Sequence, residues 1–293
     1  MNSTAGAASR MHEAFHTVYK IPIVQQSSIS ELSLGDHPRA IHTIPIQPGR
    51  SIDFYSKLSQ SRDLFVCLHG AMRPGPERYP KFQRVSSMKN RVDAFLSFAD
   101  PTLQHSVNQE FGIGWYTGRS GWDPIFDIAN VVRQAQLHVG AERVMFLGGS
   151  AGGFAALRIS TLFPGSLAFV TDPQTNVGLY HQGHRDRLFS ECWPGWGQRE
   201  LLEAFPERFD MGYLYTTLDP DNFVYYRQST SDKWHSDTFA RPFAEAVKST
   251  AGSRVGRYEF VFEEGEVPGH GKITGTEFDR HFGEAMAFWD ARG

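Results

Sequence analysis

The chain has 293 residues, a formal net charge of −3 and a charged fraction of 21%. A hydrophobic fraction of 40% can supply a folded core and excludes extensive disorder. No long run of basic residues occurs, so we predict that the chain does not bind nucleic acid. This length suits one α/β domain with an insertion, and we predict a single domain over residues 1–293.

The two cysteines do not form a disulfide framework, which favours a reducing compartment. Cys67 lies in the apolar run 64–68 and is predicted to be buried. No stretch reaches the roughly 18 apolar residues that a membrane span needs. The first 20 residues lack the apolar segment of a secretory signal. We therefore predict a cytoplasmic protein without a transmembrane segment.

The chain begins with residues 1–35, which are rich in Ser, Ala and Gly and are predicted to form an N-terminal arm or edge structure. Residues 38–60 alternate between apolar and polar, which predicts half-buried antiparallel strands. Continuous apolar runs follow, and such runs are typical of parallel strands buried on both faces. These runs are 64–68, 144–147, 167–170 and 223–226, with further candidates at 94–98 and 258–262.

Helical patterns separate the predicted strands. Apolar residues between 125 and 139 share one helical face, with Asp123 as the N-terminal cap and Gly140 after the end. A shorter helix is predicted over 239–250, and Thr274-x-x-Glu277 offers a capping box for a C-terminal helix. Alternation of strands and helices predicts an α/β fold, in which helices cover both faces of a mostly parallel, twisted sheet.

The segment 174–220 interrupts this alternation. We predict that it is a cap or lid inserted over the C-terminal edge of the sheet, where α/β folds bind ligands. Trp193 and Trp196 are then candidates to line an apolar pocket or to stack on a sugar ring. Gln174 follows a central strand and is a candidate to bind substrate hydroxyls, with a turn of internally bonded polar groups as the alternative.

The strongest local pattern is Gly-Gly-Ser-Ala-Gly at 148–152, between an apolar strand and a predicted helix. In a strand–turn–helix, G-x-S-x-G raises the serine hydroxyl above the sheet, and Gly148 and Gly152 avoid collisions in the strained turn. A phosphate-binding turn is disfavoured, because neither G-x-G-x-x-G in register nor the Lys-Ser/Thr of a P-loop is present. Ser150 is therefore predicted to be a nucleophile.

This turn resembles the nucleophile elbow of the α/β-hydrolase superfamily, and the resemblance extends as topology over about residues 40–290. It implies the α/β-hydrolase fold and the chain order serine, acid, histidine. His270 lies between two glycines after the last strand and is implied to be the base. Asp232 is implied to be the acid, with Asp237 and Asp172 as alternatives.

The resemblance also implies two backbone donors for an oxyanion. One is Ala151, which follows the nucleophile. The other is Ala71, because His69-Gly70-Ala71 follows the strand 64–68 as a His-Gly segment does in α/β-hydrolases. We interpret His69 itself as a structural residue.

These residues predict a serine hydrolase of the carboxylesterase type, which cleaves an ester, thioester or amide through an acyl-enzyme. An acyltransferase or deacylase acting on a glycan or glycoconjugate is the first alternative. This alternative is based on the segment Pro173-Gln174-Thr175, which resembles Pro-Gln-Thr segments of hydrolase-like proteins associated with bacterial surface glycans. A non-catalytic hydrolase-like binding protein is the second alternative. The predicted partner is a small-molecule or glycoconjugate acyl substrate, and the oligomeric state stays open.

The predicted chemistry needs no cofactor and no metal. His181-x-x-His184, followed by Cys192, has the residue types of a metal site. The pattern lacks a second paired element, so we interpret it as a solvated loop.

Overall fold

The computed structural model describes residues 14–73, 79–106, 111–250 and 256–292. Its strands are β1 (Ala14–His16), β2 (Ile21–Gln25), β3 (Arg39–Gln47), β4 (Arg50–Leu58), β5 (Asp63–Leu68), β6 (Ala94–Phe98), β7 (Arg143–Gly149), β8 (Leu167–Thr171), β9 (Phe223–Ser229) and β10 (Tyr258–Glu263). Its α-helices are α1 (Val85–Met88), α2 (Pro124–Val139), α3 (Ala151–Ser160), α4 (Gln182–Cys192), α5 (Gln198–Ala204), α6 (Pro206–Phe209), α7 (Met211–Leu218), α8 (Lys233–His235), α9 (Arg241–Thr250) and α10 (Gly275–Asp290). Short 3-10 helices cover Pro101–His105 and Val177–Leu179, and a π-helical turn covers Ser236–Ala240.

All ten strands join one sheet in the order β1-β2-β3-β4-β6-β5-β7-β8-β9-β10. From β6 to β10 every neighbouring pair is parallel, which confirms the predicted mostly parallel sheet. The alternating segment forms the antiparallel pair β3 and β4, and β4 is also antiparallel to β6. The continuous apolar runs became the inner strands because helices cover both of their faces.

Two apolar layers hold the helices on the sheet. On one face the strands pack against α2, α3, α7 and α9, and on the other against α1 and α10. The predicted caps are present: the Asp123 side chain accepts from the Ile125 amide, and Thr274 and Glu277 form a reciprocal capping box. Gly140 ends α2 with φ of 68°, a conformation that favours glycine.

Part of the predicted N-terminal arm lies at the edge of the sheet. β1 pairs antiparallel with β2, and β2 pairs parallel with β3. Residues 1–13 of the arm lie outside the described residues.

The segment between β8 and β9 contains four α-helices, α4 to α7, after the 3-10 helix Val177–Leu179. Arg208 connects this segment to the rest of the molecule, because its guanidinium donates to the carbonyl oxygens of Thr117, at 2.8 Å, and Trp122, at 2.5 Å.

Both cysteines are buried and unpaired, and burial raises the pKa of the Cys67 thiol to about 12. Among the described residues no helix has the length and apolar character to cross a membrane.

Candidate active site

Ser150 lies in the turn between the end of β7 and the start of α3. Its backbone has φ of 55° and ψ of −126°, a strained conformation for a residue with a side chain. A Cβ on Gly148 would lie 2.1 Å from the carbonyl oxygen of Gly152, and one on Gly152 would lie 2.2 Å from that of Leu68. The two glycines are therefore required for the chain to pass through this turn.

Ser150 and His270 are in hydrogen-bond contact, and His270 also contacts Asp232. The distance from His270 Nε2 to Ser150 Oγ is 2.9 Å, and from His270 Nδ1 to Asp232 Oδ2 it is 2.7 Å. Asp232 follows β9 and caps the single turn of α8. His270 lies between Gly269 and Gly271, both at positive φ, after β10. A neutral imidazole in this position can accept the serine proton on Nε2.

The two alternative acids are bonded elsewhere. The Asp172 carboxylate lies 3.2 Å from Arg227 Nη1 and accepts from the Ser229 amide at 2.6 Å. Asp237 lies near the surface, where Lys233 donates to its carboxylate at 2.6 Å and lowers its pKa. Of the three candidate carboxylates, the structure places Asp232 on His270.

Of the two predicted oxyanion donors, Ala151 directly follows Ser150 in the chain, and Ala71 follows Gly70, which lies against Ser150. Ala151 is the first residue of α3, so its amide has no acceptor within the helix. Gly70 is so close that a Cβ there would lie 3.3 Å from Ser150 Cβ. The Gly70 and Met72 amides donate to Gln83 Oε1 and to a carbonyl oxygen, whereas the Ala71 amide between them makes no hydrogen bond within the described residues.

His69 holds this loop in place through hydrogen bonds between both of its ring nitrogens and the backbone. Its Nε2 accepts from the Asp100 amide at 2.9 Å, which leaves the proton on Nδ1, and Nδ1 donates to the Gly70 carbonyl oxygen at 2.6 Å. Burial lowers the pKa of His69 to about 4, so the ring is neutral and both of its nitrogens are occupied. These bonds agree with the interpretation of His69 as a structural residue.

Gln174 lies against Ser150 and is fully buried. Its Oε1 accepts from the Trp115 indole N–H at 3.2 Å, and its Nε2 donates to Ser150 Oγ at 2.9 Å. The same Nε2 lies 3.0 Å from His235 Nε2. The Gln174 amide, which was expected to bind substrate hydroxyls, therefore bonds to other protein groups, one of which is Ser150.

The structure corrects the expectation for Trp193, whose side chain lies in the hydrophobic core at 2% exposure. It packs against Phe189 and Phe209, and the Arg208 guanidinium lies 5.1 Å from its ring. An indole enclosed in this way is not available to substrate. Trp196 is 36% exposed and rests on Phe205, so a substrate contact by Trp196 stays a prediction.

We expect Trp193→Ala to lower the free energy of unfolding by about 3–5 kcal/mol, because the substitution leaves a cavity among packed rings. Urea denaturation measures this change. Trp196→Ala is the matched control and is expected to cost about 1 kcal/mol or less. Equal losses in the two variants would contradict the core position of Trp193.

His235, which the sequence leaves open as either a substrate contact or a neighbour of a helix cap, lies within the candidate site. Its Nδ1 lies 3.0 Å from Asp232 Oδ1, and its ring stacks on His270 with centroids 3.6 Å apart and planes 10° apart. The available signal was its spacing, because residues i and i+3 of a helical turn face one another. Asp232, His235 and His270 are also the described residues that could hold a metal ion, with ligand atoms within 4.8 Å of one another.

No protein-family model matches the sequence, and no curated protein shows a significant sequence match to it. Solved structures do resemble the fold. The capsule O-acetyltransferase of Neisseria meningitidis serogroup A has a TM-score of 0.59 and 15% identity, over 89% of this chain and 96% of that one.

Two esterases resemble the fold to a similar degree. Carboxyl esterase 2 from the fungus Tuber melanosporum has a TM-score of 0.56 and 12% identity, over 92% of this chain and 91% of that one. An esterase from Pyrococcus furiosus has a TM-score of 0.54 and 16% identity, over 88% and 96%. At these identities the likeness shows a shared mixed α/β fold.

Proposed function

We propose that this chain is an ester hydrolase of the α/β-hydrolase fold that acts through Ser150. The observation that carries the proposal is the continuous contact from Ser150 Oγ through the His270 ring to the Asp232 carboxylate, at 2.9 and 2.7 Å. The strained serine turn supports it, because such turns hold a nucleophile above a sheet. We further propose that the chain is one domain over residues 1–293 and that 174–220 is its cap.

In the proposed reaction, Ser150 Oγ attacks the acyl carbon while its proton passes to His270 Nε2. Asp232 holds the ring so that Nε2 faces the serine, and stabilises the imidazolium that forms. The amides of Ala151 and Ala71 donate to the carbonyl oxygen as it gains negative charge. His270 then gives the proton to the leaving group, and an acyl-enzyme remains on Ser150.

The second half of the reaction releases the acyl group. His270 removes a proton from an incoming hydroxyl, whose oxygen attacks the acyl carbon. The bond between the acyl carbon and Ser150 Oγ then breaks, and His270 returns the proton to Ser150 Oγ. The proposed triad and the two oxyanion donors act identically whether that hydroxyl belongs to water or to a sugar. A glycan O-acyltransferase is therefore the second candidate, favoured by the fold similarity to a capsule O-acetyltransferase over 89% of the chain.

Incubation with p-nitrophenyl acetate, with and without candidate glycans, separates the two. We expect acetate and p-nitrophenol in equal amounts without glycan, because water then takes the acyl group. A hydrolase continues to release acetate when glycan is added, whereas a transferase yields glycan heavier by one acetyl group, detected by mass spectrometry. Absence of turnover with a series of activated esters would contradict both and favour a binding protein.

A further inference from the structure

His235 completes a closed ring of five hydrogen bonds around the candidate nucleophile. Ser150 Oγ lies 2.9 Å from His270 Nε2, and His270 Nδ1 lies 2.7 Å from Asp232. Asp232 lies 3.0 Å from His235 Nδ1, and His235 Nε2 lies 3.0 Å from Gln174 Nε2. Gln174 Nε2 returns to Ser150 Oγ at 2.9 Å. Two of the ring's members, His235 and Gln174, lie outside the proposed triad.

The hydrogen positions in this ring follow from one donor outside it. The Trp115 indole can only donate, so the Gln174 atom that faces it is the amide oxygen, and the NH₂ group faces Ser150 and His235. His235 Nε2 must therefore accept from Gln174. The proton of a neutral His235 is then on Nδ1, where it donates to Asp232.

A neutral His235 fits its surroundings. Burial first, and the neighbouring His270 second, lower the pKa of His235 to about 4. Near neutral pH the ring therefore keeps one donor and one acceptor, as the assignment requires. Asp232 thus accepts two imidazole N–H bonds, one from each of two stacked rings.

We propose that His235 is a positioning residue that holds Asp232 and Gln174 in place for catalysis; the inference rests on the proposed function. Through Nδ1 it shares the Asp232 charge with His270, and through Nε2 it aims the Gln174 amide at Ser150 Oγ. Its stacked ring also keeps the His270 ring from turning away. Loss of each bond has a different consequence, which makes the two roles separable.

We expect the bond between His235 and Asp232 to affect the acidic side of the profile of kcat/KM against pH. With one donor removed, the Asp232 charge acts more strongly on His270 and favours its protonated form, so activity is lost at a higher pH. Other groups also act on this cluster and stay unchanged in the variants below. They are Asp172 with its partner Arg227, Tyr180, His181 and Tyr226.

Three variants test the two bonds. His235→Asn keeps a donor near Asp232 but loses the acceptor for Gln174, whereas His235→Gln keeps the acceptor and loses the donor. His235→Phe keeps a stacked ring and loses both. His138→Phe is the control, because His138 is exposed near the C-terminal end of α2 and bonds to no member of the ring within the described residues.

The measurement is kcat and KM for p-nitrophenyl acetate across pH, with melting temperatures for every variant. We expect the acidic midpoint of kcat/KM to rise by about half a pH unit in His235→Phe and His235→Gln, and to stay in place in His235→Asn. We expect the plateau kcat to fall by about tenfold in His235→Asn and His235→Phe with little change in KM. His138→Phe should match the wild type.

A purely structural role would lower melting temperature and kcat alike in all three variants and leave the midpoint unchanged, and that result would overturn the inference. Failure of the proposed function is distinguishable, because the wild type would then show neither turnover nor labelling by a fluorophosphonate. That outcome overturns both.

Discussion

Ser150→Ala is expected to lower kcat/KM for an activated ester by about 10⁴-fold or more. The substitution removes the only atom of the proposed triad that bonds to the acyl carbon, and His270 cannot compensate because it acts through that oxygen. Steady-state hydrolysis of p-nitrophenyl acetate measures the loss, after subtraction of the uncatalysed rate.

Two controls make this result interpretable. Alanine tolerates the Ser150 backbone about as well as serine does, so the melting temperature should remain close to that of the wild type. Ser190→Ala removes an exposed hydroxyl on α4 and should leave turnover unchanged. A folded Ser150→Ala protein with activity comparable to the wild type would contradict the assignment of the nucleophile.

Asp232→Asn is expected to lower kcat by about 10³–10⁴-fold, because the amide would hold His270 in the wrong tautomer. An asparagine has one acceptor oxygen for two imidazole donors. His235 cannot readily give up its Nδ1–H, since Gln174 donates to its other nitrogen and Trp115 fixes the Gln174 amide. The asparagine NH₂ therefore faces His270, whose proton moves to Nε2, where it can no longer accept from Ser150.

The alternative acids provide the comparison for this variant. Asp237→Asn should change kcat less than about twofold, because among the described residues Asp237 pairs with the exposed side chains of Lys233 and Arg241. Asp172→Asn should act mainly on stability, since Asp172 pairs with the buried Arg227. A larger loss of kcat in a stable Asp172 variant than in Asp232→Asn would reassign the acid.

Much of the fold follows from local patterns. The apolar runs predicted the parallel strands, because burial on both faces removes the need for alternating polar residues. Asp123 and Thr274 predicted helix starts, because each cap acts on an amide within its own first turn. The pairing of β1 and β2 at the sheet edge could not be predicted, because these strands carry only a short and weak alternation.

The site was predictable only where a residue type and its place in chain order carry meaning. Ser150 has a turn that few other residues permit, and His270 lies between two glycines after the last strand. Gln174 and His235 are 61 positions apart, and nothing local indicates that they meet beside Ser150. Trp193 was misassigned, because a tryptophan in a loop-like motif gives no sign of which side of the loop faces the core.

The central claim, that Ser150 is a nucleophile activated by His270, is tested most directly by the intact mass of the protein after exposure to a fluorophosphonate. The account predicts one covalent adduct per chain, located on Ser150 by peptide mapping. It predicts no adduct in Ser150→Ala and much slower labelling in His270→Ala. An adduct on another residue, or no adduct in the folded wild-type protein, would contradict it.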